Sequence, residues 1–272
     1  VDDNRPPDSH GERRSEREQR GDPRTDARTA SRAAPRSGPH PDAPAGPAEP
    51  SALTGTADAL RALGPSCGPV RLVAVDGHAG SGKSTFAGRL AEALGGAPVL
   101  HLDDLATHEQ FFDWTERLVT QVLTPLAHGA GARYEPYDWT LRRFLAPRDL
   151  APAEVVVVEG VGAGRRVLRP YLARLLWMER AAPDSWERGR RRDGPALSAF
   201  WDDWTAAETR HFERDPSRPF ADALVREVQE GYVLRKGPSA AARPIGTITQ
   251  SDQPHPPYRP VGNHSPGSPN CA

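Results

Sequence analysis

The run Gly77-His78-Ala79-Gly80-Ser81-Gly82-Lys83-Ser84-Thr85 has residue types and spacing suited to holding phosphate. It fits G-x-x-x-x-G-K-[ST], the P-loop pattern, in which glycines turn the backbone so that its N–H groups converge on phosphate oxygens. Lys83 is expected to reach the outer phosphates of a nucleotide as a mobile charge, and the Ser84 hydroxyl to ligate Mg²⁺. Gly77, Gly80, Ser81, Gly82 and Thr85 complete the expected cradle, aided by the positive end of the helix that begins near Lys83. Only two of the 35 basic residues are lysines, Lys83 and Lys236, so a lysine here is not filler. The pattern arises by chance in roughly two of a thousand chains of this composition.

Three acids close apolar segments and are therefore candidates for the same site: Asp76, Asp103 and Glu159. Asp76 immediately precedes the loop and is expected to brace it. Asp103 is the candidate base, accepting a proton from an attacking hydroxyl or holding a Mg²⁺-bound water. Its neighbour Asp104 should point to the opposite face of a strand, or cap the following helix. Glu159 ends a run of four valines, where an ionised carboxylate needs a partner; Mg²⁺ through water would serve, and so would a structural ion pair. Gly160 beside it is expected to leave room for a ligand. Arg188, Arg191 and Arg192 lie within one helical turn's reach, which suits a lid clamping a transferring phosphate; a solvated helix face is the alternative.

The elements that must position these residues follow from hydrophobic spacing. Val70–Val75 reads as a buried strand, and Phe86, Leu90 and Leu94 at i, i+4 and i+8 as a helix stopping at Gly95-Gly96. Pro98–Leu102 is expected to be a second strand closed by Asp103, and Val155–Val158 a third. Leu175–Glu179 makes a fourth, and Pro183-Asp184 opens a helix through the arginines. Further helices are expected over Glu109–His128, bent or ended by Pro125, and over Pro195–Glu213, where Phe200, Trp204 and Phe212 are candidate core contacts. Thr56–Leu63 reads as a short lead-in helix capped by Thr56 or Ser51, Arg133–Phe144 as a loop or hairpin, and Phe220–Leu234 as a strand or helix. Strands alternating with helices imply an α/β domain, a mainly parallel sheet flanked by helices.

Composition sets the outer limits. Residues 1–50 hold nine prolines and no Leu, Ile, Phe, Met, Trp, Tyr or Cys, and 237–272 hold eight prolines, so both are expected to be disordered. Between them lie a lead-in helix and linker (51–69) and one domain (70–236). A net charge of −1 gives no field for nucleic acid or membrane. The two cysteines, Cys67 and Cys271, make neither a disulfide framework nor a zinc site, and no membrane span or signal-type apolar segment is apparent. A cytoplasmic location is expected, with homo-oligomerisation left open.

In order, Asp76 to Thr85, a strand ending in Asp103, Tyr137-Asp138-Trp139, Val158-Glu159-Gly160 and an arginine-rich lid resemble the uridine kinase and phosphoribulokinase family of P-loop kinases, from about Val70 to Val225. The resemblance implies a P-loop NTPase fold of the nucleoside or nucleotide kinase kind. It also implies ATP- or GTP-dependent, Mg²⁺-assisted phosphorylation of a small-molecule hydroxyl. Asp103 matches the family's base toward a ribose 5′-hydroxyl, Tyr137, Asp138 and Trp139 its nucleoside pocket, and Glu159 its residue near the metal. Lys83 and the lid arginines Arg188 and Arg192 would carry phosphoryl transfer.

Two positions depart from the pattern. Asp104-Leu105-Ala106 stand where uridine kinases usually carry Ser-Phe-Tyr, and Arg142 where a base-contacting histidine is often found. Arg142 and Arg143 would suit an acceptor already bearing an anion. Uridine or cytidine is thus the first expected acceptor; a pantothenate-like compound, sugar phosphate or nucleoside monophosphate is the second. A nucleotide-binding regulatory protein is the third reading, although no Asn-Lys-x-Asp or Leu-Ser-Gly-Gly-Gln segment occurs.

Overall fold

The computed structural model describes residues 52–241; the arm 1–50 and the tail from 242 onward, both expected to be disordered, lie outside the described residues, as does Ser51. Helix α1 (Ala52–Arg61) precedes the sheet and starts earlier than the sequence suggests. Thr56 is not its cap: its hydroxyl donates back to the Ala52 carbonyl inside the helix. Ala57 and Leu60 are the buried face of α1.

Strand β1 (Arg71–Asp76) leads into the phosphate loop, which opens helix α2 (Lys83–Ala93). Strand β2 (Val99–His101) stops two residues short of Asp103, which instead lies in a 3-10 turn, Leu102–Asp104. The helix expected over Glu109–His128 begins only at Thr115, because Thr107 closes a turn by accepting the Gln110 amide. Short helices α3 (Thr115–Leu118) and α4 (Thr124–Ala127) are joined by a π turn, Val119–Leu123. Pro125 has no N–H to give the preceding turn, and the wider turn accommodates it without ending the helix.

The aromatic, charged segment that follows forms two small antiparallel ladders. Strand β3 (Ala132–Tyr134) pairs with β6 (Arg148–Leu150), and within them β4 (Tyr137–Asp138) pairs with β5 (Arg143–Phe144). The chain then returns to the main sheet as β7 (Val155–Glu159) and β8 (Leu172–Met178). Helices α5 (Ala182–Asp193) and α6 (Ser198–Arg214) follow, and the strand-or-helix segment resolves into a hairpin, β9 (Ala223–Val228) and β10 (Gly231–Lys236). Residues Pro238–Ala241, expected to open the tail, form a 3-10 turn, with the Ser239 amide donating to the Ala221 carbonyl.

The six main strands lie in the order β10-β9-β8-β1-β7-β2, all parallel except the β9–β10 pair. The chain thus has the P-loop NTPase type of α/β fold, a mostly parallel sheet flanked by helices. Every residue of β7 is buried, as in strands covered on both faces. Alternation sends Leu72, Ala74, Val156 and Val158 to a core with Trp114, Leu118 and Leu126. Val73, Val75 and Val157 face the other core, with Phe86 and Leu90 of α2 and Ala57 and Leu60 of α1. Among the described residues, no helix is long and apolar enough to cross a membrane.

Candidate active site

The carboxyl ends of β1, β7 and β2 are brought level by register, Val75 beside Glu159 and His101 beside Glu159, and the phosphate loop rises from that edge. Gly77, Gly80 and Gly82 hold φ values of 149°, 81° and 102°, a backbone that side chains resist. Asp76 is fully buried and accepts the amides of Gly77 (2.7 Å), Gly162 (2.9 Å) and Gly164 (2.8 Å). It therefore ties the loop to the segment after β7, the bracing role expected of it. Burial raises its pKa above the ordinary carboxylate value, and these amides partly offset that.

Lys83 opens α2 with its ammonium on the His78 carbonyl at 3.1 Å, and Ser84 donates to Glu159 Oε1 at 2.9 Å. Thr85 follows, exposed, on the first turn. Ser81 Oγ is buried without a hydrogen-bond partner. An orphan hydroxyl beside a glycine cradle and a lysine fits a nucleotide's phosphates. Ser84 and Glu159 offer a hydroxyl and a carboxylate oxygen, donors of the type Mg²⁺ takes. Among the described residues, no cluster of three or more His, Cys, Asp or Glu could hold a metal. These two would therefore share the ion with nucleotide oxygens and water.

Glu159 also receives His101 Nδ1 at 2.5 Å. Burial opposes its ionisation, but the His101 bond, the Lys83 charge and the Ser84 hydroxyl outweigh burial and hold its pKa below the usual value. His101 is shifted the other way by the same bond. Gly160 does not leave space for a ligand: a Cβ there would come within 2.7 Å of the Leu102 side chain, which already fills the gap.

Asp103 opens to the water of the cleft yet is walled in by protein. That enclosure, together with the Glu159 carboxylate, pushes its pKa up to about 6, with Lys83 and His101 pulling against the rise. Asp104, in the 3-10 turn rather than on a strand, accepts the Tyr134 hydroxyl (3.1 Å) and pairs with Arg148 (3.2 Å), neither alternating across a strand nor capping a helix. Trp139 Nε1 donates to the Asp103 carbonyl at 3.1 Å, so the β4–β5 hairpin touches the candidate base. Around Trp139 stand Tyr137, His108, Phe111 and Phe200, with ring centroids 4.8–6.3 Å from it. Asp138 Oδ1 accepts the amides of Thr140 and Leu141 and so shapes the hairpin tip. Arg142, with φ 53°, pairs with Glu109 at 3.5 Å on the exposed rim.

The arginines divide. Arg188 Nη1 stands 3.1 Å from where a Cβ on Gly82 would be and pairs with Glu227, which also holds Arg180. Arg192 is chelated by Asp193 and lies within the field of Asp103, both of which stabilise its charge. Arg191 pairs with Glu187 on the exposed face, the solvated reading. Beside Ser81, a cleft of about 310 Å³ is bounded by Met178, Arg180, Asp184, Val225 and Glu227.

No protein-family model matches the chain, and no curated protein matches it in sequence. Among solved structures it is similar to a possible uridine kinase from Bacillus stearothermophilus, with 17% identity, TM-score 0.44, 63% of this chain covered and 96% of that one. A second, from Silicibacter sp. and provisionally described as a fructose transport system kinase, has 22% identity and TM-score 0.44, with 59% and 88% covered.

Several site residues escape the motif reading. Glu208 of α6 is completely buried against the phosphate loop. It stands four residues after Trp204 and seven after Trp201, an acid on an otherwise apolar stripe, and that is the signal that could have found it. His101, two residues before Asp103, and His108, bonded to the Tyr137 hydroxyl at 3.0 Å, carry no pattern of their own.

Proposed function

We propose that this chain transfers the γ-phosphoryl group of a nucleoside triphosphate to the hydroxyl of a small molecule, foremost a nucleoside such as uridine or cytidine. The observation carrying this reading is the phosphate loop itself, where the Lys83 ammonium rests on the His78 carbonyl and Ser84 donates to Glu159. Asp103 stands exposed in the same cleft, its pKa pushed up to about 6 by its surroundings and by Glu159. A base tuned toward neutrality takes a proton from a hydroxyl more readily than an ordinary aspartate does.

In this reading, the loop amides and Lys83 orient the triphosphate, and Ser84 and Glu159 would hold Mg²⁺, which would neutralise charge on the phosphate oxygens. Asp103 accepts the acceptor hydroxyl proton as that oxygen attacks the γ-phosphorus and the bond to the β-bridging oxygen breaks. Arg192 and Arg188 offset the charge that develops. Trp139, half-buried, offers its ring to the acceptor, with Tyr137 buried behind it as support rather than as a contact surface and Asp138 and Arg142 shaping the rim.

The test is release of ADP or GDP from the full chain with Mg²⁺ and ATP or GTP, across nucleosides, nucleoside monophosphates, sugar phosphates and pantothenate, with Asp103→Asn alongside. Turnover on uridine or cytidine that Asp103→Asn abolishes is the expected result. Turnover confined to another acceptor would keep the chemistry and replace the substrate. Nucleotide binding with no accelerated turnover on any acceptor would favour a regulatory protein.

A further inference from the structure

Glu208 is a charged group deep in the molecule, 0% exposed, whose four hydrogen bonds come from two different parts of the fold. Oε1 accepts His78 Nδ1–H at 2.7 Å and Trp186 Nε1–H at 3.0 Å. Oε2 accepts the Ala79 backbone N–H at 3.1 Å and Trp204 Nε1–H at 2.9 Å. Four donors satisfy the lone pairs of both oxygens, so the carboxylate has no further capacity. Two of them belong to the phosphate loop and two are indoles of helices α5 and α6.

The same half of the loop is held from other sides. The His78 ring meets Trp177, Trp186 and Phe212 edge-on, with centroids 5.2–6.0 Å away. Gly80 lies so close to α5 that a Cβ would stand 2.1 Å from the Ser185 carbonyl oxygen. The His78 carbonyl receives the Lys83 ammonium, so one loop residue connects Glu208 to the lysine that faces the phosphates. Burial opposes the charge on Glu208, but the His78 bond, Lys83 and the Ala79 amide outweigh it and keep the carboxylate ionised.

We propose that Glu208 is a positioning residue of the phosphate loop: from α6 it fixes the His78–Gly80 half of the loop, and through His78 the Lys83 ammonium, in the geometry that receives a nucleotide's phosphates. The role rests on the nucleotide-binding reading above. A glutamine at 208 keeps the shape but turns an NH₂ group toward two of the four donors, so the clamp fails without a cavity. Asp222 is the matched control, a buried carboxylate accepting the Leu175 amide at 2.8 Å away from the loop.

The experiment compares wild type, Glu208→Gln, His78→Phe and Asp222→Asn in the full chain by hydrogen exchange of the loop peptide and by titration with Mg·ADP, with Mg·GDP and with adenosine. Glu208→Gln is expected to speed exchange in the loop and to weaken Mg·ADP by about tenfold or more, the scale of one lost charged hydrogen bond. Adenosine, which has no phosphates, should be held as before. His78→Phe keeps the ring packing, removes the N–H and should act in the same direction even if Glu208→Gln does not fold. Asp222→Asn should lower thermal stability and leave both readouts alone. Loop exchange and Mg·ADP affinity equal to wild type in a folded Glu208→Gln or His78→Phe chain would overturn the proposal. Wild type binding neither Mg·ADP nor Mg·GDP would sink the nucleotide reading instead, and loop exchange would still decide whether Glu208 holds the loop.

Discussion

At the scale of single residues, the cleft sets two carboxylates apart: Glu159 is held ionised by His101, Lys83 and Ser84, whereas Asp103 is pushed up to about 6. If Asp103 is the base, kcat/KM should rise with pH through about 6, and Asp103→Asn should lower turnover by about 10²–10⁴-fold, read from pH profiles of both proteins. The same shift acts on stability. Between about pH 4, where an unfolded aspartate titrates, and about 6, the folded chain keeps this proton and the unfolded chain does not. Stability is therefore lost as pH rises through that window. Asp103→Asn, free of that charge, should melt higher than wild type at about pH 7.5 and no higher at about pH 4, checked by thermal denaturation. Lys83 was legible from the glycine-lysine pattern and Glu159 from the valine run it ends, whereas Asp103, expected to close a strand, stands in the 3-10 turn that follows it. Glu208 and His101 were not, because their partners lie 130 and 58 residues away in the chain.

At the scale of elements, two glycines set how α5 sits. A Cβ at Gly189 would come within 2.1 Å of the Trp201 ring, so this glycine lets α6 lie on α5; one at Gly80 would meet the Ser185 carbonyl oxygen of α5 as closely. Gly189→Ala should push the helices apart and destabilise the fold by about 1–3 kcal/mol in urea unfolding. Gly80→Ala adds strain from its φ of 81° and should abolish Mg·ADP binding in a chain that still folds, measured by titration. Helix α5, which carries Arg188 and Arg192, is thus packed closely against both the loop and α6. Strands β1 and β7 were readable from their valines because a doubly covered strand is apolar at every position. The helix before the β4–β5 hairpin was misjudged at its start, where Thr107 diverts the chain into a turn, and continued beyond Pro125 because a π turn makes room for the ring. The β9–β10 pair was ambiguous because its two strands are largely exposed, with few core residues to set a period.

At the scale of the whole molecule, the sheet order places β1 between β7 and β8, strands that enter the sheet only from Val155 and Leu172 onward. The alternation of strands and helices made the α/β class legible, but nothing local in the sequence says that β7 inserts between β1 and β2. Native-state hydrogen exchange should find the amides of β1 and β7 most protected and those of the β2 and β10 edges least. The order also has a consequence in time. During synthesis, β1 is finished when residue 76 emerges, whereas β8 is complete only at residue 178; at the usual pace of elongation the interval is roughly 5–20 s. Throughout it, Leu72 to Val75 wait without one of their two neighbours, and Asp76 lacks the Gly162 and Gly164 amides until the segment after β7 arrives. The glycine loop is thus among the first parts of the domain to be made and among the last to take shape. Nascent chains stalled before β8 should expose β1 to proteases and chaperones and be unable to retain nucleotide.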